Sequence, residues 1–437
     1  MTGERRDQAD GIPDTVRANV LDGYRKHVNH GLARLANLMS APVVVRAAGN
    51  HLYTSADDRL LDCGGYGIFL LGHSHPELVE AVCAQARTMA VTGPLVFHPS
   101  LATAARKLAE ACPPGLERVC LTNSGAEAVE LALKIARLNG KRHIVSTHGG
   151  FHGKSMGALS VTGRPAYQNP FLPLLPDVTF VPYGDAAAAR AALARESCLI
   201  LEPVQGEGGA RIPPSGYLAE VAAACRSASA LLVIDEIQTG LGRTGELWAA
   251  SAEDVIPDIL LCGKALGGGL MPVGAVVTRP SVFAPLDRDP MLHTSTFGGN
   301  PLAATAVSKT IDVMLRDNVP GRARVLGDRL LRLLRGNIGT TCGHLVADIR
   351  GKGLLLGVEF VSESIAGEFV LEMLEEKVVV SASANALRTI RLTPSAFLSE
   401  ADIQHLEQAL HATARNLTKL HPVSSDWQPL VSTSTSN

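Results

Sequence analysis

Lys264 is the residue around which a chemical reading of this chain organises itself. It follows the apolar run Ile259-Leu-Leu-Cys262 and Gly263, and three glycines, Gly267 to Gly269, come shortly after it. Desolvation at such a place lowers an ammonium's proton affinity, and the neutral amine is the form that makes a Schiff base with a carbonyl. A phosphate-contacting lysine is the competing reading. A Walker loop is excluded, because there the glycines precede the lysine and Ser or Thr follows it. Asp235 closes a second apolar run, Leu231-Leu-Val-Ile-Asp235-Glu236-Ile-Gln238. A carboxylate there needs a cation or donor to offset its desolvation, and a protonated heterocyclic nitrogen would suit it. A cap for the next turn is the plainer alternative.

Four more segments carry polar groups after apolar runs. In Asn123-Ser124-Gly125-Ala126-Glu127, Ser124 and Glu127 have the spacing of a capping box opening a helix. Small residues there leave N–H groups exposed, and the helix dipole favours an anion such as phosphate. An ordinary capped helix satisfies the same pattern. In Gly149-Gly150-Phe151-His152-Gly153, Phe151 could stack on a planar ring and His152 could donate to one. A core Phe and a satisfied loop His are the alternatives, and the surrounding glycines argue against a helical His148/His152 metal pair. Glu202-Pro-Val-Gln205-Gly206-Glu207 holds two carboxylates in what could equally be a solvated turn. Arg391, in Thr389-Ile-Arg391-Leu-Thr-Pro394, has apolar flanks that point to a fixed guanidinium able to clamp a carboxylate. Gly240-Leu-Gly242-Arg-Thr-Gly245 matches a dinucleotide pattern and so raises a dehydrogenase as a rival. However, residues Asp235 to Thr239 separate it from the apolar strand core, and 246–254 is a poor continuation helix.

These groups need a scaffold that brings strand ends together. Strands are expected at Arg118–Leu121, His143–Ser146, Val178–Val181, Cys198–Leu201, Leu231–Ile234, Ile259–Leu261 and Val273–Thr278. Several are apolar throughout, as strands buried on both faces should be. Helical patterns at Ala126–Leu138, Ala186–Ala194 and Tyr217–Ala228 alternate with them. Alternation of this kind gives an α/β fold with a mainly parallel, seven-stranded sheet, whose ligands sit beyond the carboxyl ends of the strands. From about Leu302 the pattern changes to a long helix, an Arg-rich helix near Arg322–Arg335, and short strands at Gly353–Phe360 and Thr389–Leu392, a small α+β C-terminal domain. We expect an N-terminal segment 1–70 packing with the small domain, a large domain 71–300, the small domain 301–423, and a flexible tail 424–437. Residues 1–12 read as a mobile start.

Composition narrows the function classes. With 437 residues and 46% hydrophobic content the chain can bury a large core. Lys+Arg 40 against Asp+Glu 42 gives no basic surplus for gripping nucleic acid. No apolar run reaches the ~20 residues of a membrane span, and MTGERRDQADG has no apolar signal core. The eight cysteines are scattered without a C-x-x-C pair, which reads as reduced thiols in a cytoplasmic protein.

The order and spacing of these segments resemble the class III (ornithine/acetylornithine/4-aminobutyrate-type) aminotransferases, which use pyridoxal 5'-phosphate on the fold-type I scaffold. The resemblance spans roughly residues 20–415. It is carried by NSGAEAVELALKIAR (123–137), GGFHGKSMGALSVTG (149–163), LEPVQGEGG (201–209), LVIDEIQTGLGRTG (232–245), GKALGGGLMPVGA (263–275) and HTSTFGGNPLA (293–303). Within the class, HVNHG (27–31), GGYGIFLLGH (64–73), PFLPLLP (170–176) and RTIRLTP (388–394) look most like putrescine aminotransferases. The resemblance implies that Lys264 holds the cofactor and shuttles the proton, and that Asp235 pairs with the ring nitrogen. It implies that Gln238 contacts the ring hydroxyl and that Phe151 stacks on the ring. His152 and Glu202 join the cofactor-binding set. Gly125 and Ala126 would hold phosphate through N–H groups, with Ser124 nearby. Thr296 would reach the phosphate from the partner subunit, so a homodimer sharing its sites is implied. Arg391 would bind the carboxylate of glutamate or 2-oxoglutarate, Glu207 would pair with Arg391 when that carboxylate is absent, and Tyr66 would line the entrance. The implied reaction moves an amino group between a putrescine-like terminal amine, or the matching aldehyde in reverse, and 2-oxoglutarate/glutamate or pyruvate. Acetylornithine, ornithine, 4-aminobutyrate and an aldehyde-aminating tailoring role remain alternatives, with an NAD-dependent dehydrogenase more remote. Two departures stand out: Ala126 replaces a common Thr, removing a hydroxyl from the phosphate cup, and Thr393-Pro394-Ser395-Ala396 differs from the usual proline-rich sequence.

Overall fold

After the helices Ile12–Gly23 and His30–Leu38 come three strands, β1 (Val44–Ala48), β2 (His51–Thr54) and β3 (Arg59–Asp62), an antiparallel meander. The structure, a computed structural model, describes residues 12–93 and 95–422. The tail 424–437 and residues 1–11 of the expected mobile start lie outside the described residues; a helix, Ile12–Gly23, begins at Ile12.

The central sheet follows: β4 (Arg118–Thr122), β5 (His143–Thr147), β6 (Val178–Val181), β7 (Ser197–Leu201), β8 (Leu231–Asp235), β9 (Ile259–Cys262) and β10 (Gly274–Thr278). Its order is β4-β10-β9-β8-β7-β5-β6. β5 to β9 pair in parallel, and β10 runs antiparallel to both β9 and β4. All seven strands expected from apolar runs are present, five of them longer by a residue and β10 shorter by one, since it starts at Gly274 rather than Val273. Their two-residue period divides the core. Cys198, Ile200, Leu231 and Val233 face the helix Gly125–Leu138, where they meet Leu131, Ala132 and Ile135. Leu199, Leu201, Leu232 and Ile234 face the helix Tyr217–Ala228, where they meet Leu218, Val221 and Cys225. Burial on both faces is why β7, β8 and β9 read as continuous apolar runs.

The C-terminal part adds β11 (Val346–Lys352), β12 (Leu355–Phe360), β13 (Val378–Val379), β14 (Ser381–Ala382) and β15 (Thr389–Leu392). β11-β12-β15-β14 form a separate antiparallel sheet, on which the helix Glu363–Glu375 packs. β13 instead joins the first sheet, parallel to β3. The expected strand 353–360 begins only at Leu355, because Gly353, at φ +56°, makes the turn that joins it to the unanticipated β11. The long helix after Leu302 is Pro301–Arg316, and it packs on the helices Pro76–Thr88 and Pro99–Ala111. The Arg-rich helix runs Val319–Leu334. Among the described residues no helix is long and apolar enough to cross a membrane.

Candidate active site

Parallel strands end at a common edge, so the segments after β5, β7, β8 and β9 converge. There they enclose a cavity of about 240 Å³. Its wall carries Gly125, Ala126, Phe151, His152, Glu202, Glu207, Asp235, Gln238 and Lys264, nine of the thirteen residues singled out from the sequence. Arg391 stands behind this wall, fully buried on β15. Ser124 caps the helix Gly125–Leu138 by accepting the Glu127 N–H at 3.2 Å. Two residues lie away from the wall: the Tyr66 side chain is 59% exposed, and Thr296 is exposed on the loop before Pro301.

At the floor, Asp235 ends β8 and is buried. One carboxylate oxygen accepts the Ile237 N–H at 3.0 Å, and the other meets His152 Nδ1 at 2.7 Å. Burial alone would discharge His152, but the hydrogen bond and charge of Asp235, with Glu202 nearby, outweigh it and raise its pKa. In this structure His152 is first of all a hydrogen-bond partner of Asp235, which favours the charged form of its ring. Its Nε2 is buried without a partner among the described residues. Glu202 follows β7 and braces two loops, accepting the N–H of Phe151 at 2.9 Å and of Gly206 at 3.3 Å. Burial pushes its pKa up to about 7, against the pull of His152.

Lys264 follows β9 in a left-handed conformation, φ +43°. Such geometry is unfavourable for a non-glycine residue and clusters at functional sites. Among the described residues its Nζ has no hydrogen bond or ion pair. Burial pulls its pKa down to about 8, with Glu207 opposing and Arg391 reinforcing. Neutral amine is thus accessible near physiological pH, as a nucleophilic lysine requires.

Opposite it, Glu207 and Arg391 form a buried ion pair, Oε1 to Nη2 2.6 Å. Burial raises the pKa of Glu207, but Arg391, Lys264 and the Ala384 N–H together hold it below the usual carboxylate value. Arg391 Nη1 donates to Gln238 Oε1 at 3.0 Å, and Gln238 Nε2 donates to the Tyr66 carbonyl at 3.2 Å. Gln238 therefore links Arg391 to the Tyr66 turn. A Cβ on Gly206 would lie 1.3 Å from Gln238 Oε1, so any side chain there would push Gln238 off Arg391.

At the other end, the N–H groups of Gly125 and Ala126 have no partner among the described residues and open a 14-residue helix. The capping box is half formed. Glu127 returns not to the Ser124 N–H but to Asn123, whose N–H it accepts at 3.0 Å and whose side chain at 2.9 Å. Extended backbone at Ser124, φ −157°, places Asn123 rather than Ser124 above the first turn.

The G-x-G-x-x-G segment has a packing role. Added Cβ atoms would lie 2.9 Å from the Trp248 ring at Gly240, 3.2 Å from Pro320 at Gly242 and 3.2 Å from Arg324 at Gly245. Within it, buried Arg243 donates to the carbonyls of Leu354 (3.1 Å), Pro394 (2.5 Å) and Gly67 (3.3 Å), pinning the turn after β15 beneath the site. Burial lowers its pKa to about 9. Two site residues were missed from the sequence: Ala384 and Asn385 contact Glu207. They sit in a stretch without periodicity, and only long-range folding brings them there.

A family model for class-III aminotransferases matches residues 34–413. The ornithine aminotransferase of Toxoplasma gondii ME49 is similar at 29% identity and TM-score 0.86, over 95% of this chain and 100% of its own. An (S)-enantioselective omega-transaminase from Thermomicrobium roseum is 28% identical at TM-score 0.83, over 92% and 98% of the two chains. With the seven-stranded sheet, the separate small sheet and this match, the chain belongs to the class-III aminotransferases, fold-type I enzymes that depend on pyridoxal 5'-phosphate.

Proposed function

We propose that this aminotransferase moves an amino group between a putrescine-like terminal amine, or the matching aldehyde in reverse, and 2-oxoglutarate/glutamate or pyruvate. The observation that carries this reading is the buried Glu207–Arg391 pair. A pocket that holds its own removable counter-charge for Arg391 suits alternating substrates, one with an α-carboxylate and one without.

The residues fit pyridoxal phosphate. The unpartnered N–H groups of Gly125 and Ala126 offer an anion site at a helix N-terminus. Asp235 has lone pairs beyond its two contacts for a protonated ring nitrogen. Lys264 Nζ is free to bond covalently. When bound, the cofactor supplies an aldehyde that exchanges amines and a ring that spreads developing negative charge. Asp235 would hold the proton on the ring nitrogen, with His152 Nδ1 fixing the other side of its carboxylate. Phe151 would wall the ring, and Gln238 would contact the ring hydroxyl. Lys264 would hold the cofactor covalently and, as general acid–base, would carry the proton that leaves the substrate carbon bearing the amino group and deliver it to the cofactor. Arg391 orients the α-carboxylate of the oxo acid once Glu207 has moved aside.

Thr296 completes a neighbouring site in a homodimer. Support comes from its exposed position among exposed Phe297, Met291 and Phe97, an apolar surface of the kind that marks interfaces. A cytoplasmic setting agrees with eight unpaired cysteines. Similarity to an ornithine aminotransferase favours the δ-amine of ornithine as a second reading. Single-turnover assays with putrescine, ornithine, N-acetylornithine and 4-aminobutyrate, followed by 2-oxoglutarate or pyruvate, decide between them. Faster conversion with ornithine than with putrescine would reject the diamine assignment.

A further inference from the structure

One hairpin grips Glu207 at both ends of its carboxylate. β15 carries Arg391, which meets Oε1 at 2.6 Å. The turn between β14 and β15 carries Ala384, whose N–H donates to Oε2 at 2.8 Å. The neighbouring Asn385 N–H donates to the Glu207 carbonyl at 2.9 Å. That turn is itself anchored. Asn385 Nδ2 donates to the carbonyls of Gly149 and Gly150, both at 3.0 Å, directly before Phe151. Tyr167 OH donates to the Ala384 carbonyl at 2.9 Å.

We infer that Asn385 is a specificity-determining positioning residue: by tying the β14–β15 turn to the Phe151 loop, it holds the Ala384 N–H on Glu207 and sets how readily Arg391 is released for an α-carboxylate. This rests on the reading of Glu207 as a removable partner. The physical reason is local. Glu207 cannot leave Arg391 without also abandoning the Ala384 N–H, a charge-assisted bond of the stronger kind. If the turn drifts, that second restraint weakens while the ion pair stays in place. The cations thus supply charge, and the turn supplies the bias toward the carboxylate-free state. Asn385 acts through Glu207 without touching substrate.

Asn385→Ala is the direct test, and Tyr167→Phe, which removes one hydroxyl, is the milder variant on the same turn. Both should lower the KM for 2-oxoglutarate and raise that for the diamine. The ratio should change about five- to tenfold for Asn385→Ala, the worth of roughly one hydrogen bond, and less for Tyr167→Phe, with kcat little altered. In cofactor-free protein, hydrogen exchange should quicken in peptides covering 147–153, 203–210 and 383–386 and stay unchanged in β8. The ratio shift should vanish when Asn385→Ala is made on Glu207→Ala. If Glu207→Ala shifts the preference but neither turn variant does, or if Asn385→Ala shifts it equally on both backgrounds, the inference is overturned. If Glu207→Ala itself leaves the preference unchanged, the underlying reading of Glu207 fails instead.

Discussion

Removing Glu207 tests the exchange of partners at Arg391 most sharply. The guanidinium is fully buried, its Nε has no acceptor among the described residues, and after Glu207→Ala Gln238 Oε1 would be its remaining side-chain acceptor among them. At 2.6 Å the direct Coulomb attraction is about 6 kcal/mol at an effective dielectric of ~20. Most of that offsets desolvation of the two ions. Breaking a buried pair by deleting one partner nevertheless costs about 3–5 kcal/mol, because the other charge is left uncompensated. For a chain of 437 residues the unfolding entropy is about 0.9 kcal/mol/K, so the melting temperature should fall by ~3–5 °C. A dicarboxylate entering the vacated position should reverse much of this. Without Glu207 to displace, 2-oxoglutarate should bind tighter by about 1.5–3 kcal/mol, roughly 10- to 150-fold. The diamine half-reaction should slow, since its bound state leaves Arg391 bare. Calorimetry with and without 2-oxoglutarate, beside single-turnover kinetics of each half-reaction, measures all three effects. A variant that melts normally, gains nothing from 2-oxoglutarate and keeps its diamine-to-glutamate preference would refute the reasoning.

Because the pKa of Lys264 lies near 8, well below the ordinary lysine value, its neutral fraction grows as pH rises through 8. The rate at which cofactor-free enzyme takes up pyridoxal phosphate should rise across that pH and level off above it, and a flat profile from pH 7 to 9 would contradict it. Asp235→Asn should cost about 3–4 kcal/mol of barrier, or 10²–10³ in rate, and should return the His152 imidazole pKa toward or below its ordinary value. The same pair bears on stability. A raised His152 pKa means its contribution is complete below pH 6.5 and fades as pH climbs through the folded value. Nitrogen chemical shifts of His152 that ignore the Asp235 substitution would count against the pairing. Thr296→Ala should weaken cofactor retention by about 1.5 kcal/mol, roughly tenfold, and mixing it with an inactive Lys264→Ala subunit should expose whose site was damaged. Equal retention in mutant and wild type would remove Thr296 from the phosphate site.

Much of this protein is written locally. β7, β8 and β9 declare themselves as apolar runs because both their faces are covered, and the helix Gly125–Leu138 because its three-to-four-residue apolar spacing meets one of those faces. Polar residues that end such strands must emerge at one edge of a parallel sheet. Hence Asp235, Glu202 and Lys264 are legible as a group in the sequence. Short pieces escaped. β13 and β14 hold two residues each, too few for any period, and β13 is defined by a parallel partner, β3, more than 300 positions earlier in the chain. Where a carboxylate turns is likewise beyond sequence patterns. Ser124 and Glu127 promised a reciprocal cap, yet one backbone angle sends Glu127 to Asn123. The sequence by itself therefore determined which strands are buried, where the chemistry-bearing residues emerge and which family they serve, because those depend on local periodicity and on residue order. Tertiary structure alone decided what each group meets: His152 beside Asp235, Gln238 between Arg391 and Tyr66, and Ala384 and Asn385 closed over Glu207 from 177 residues away. Such contacts depend on where distant backbone comes to rest, and nothing in the neighbouring residues specifies that.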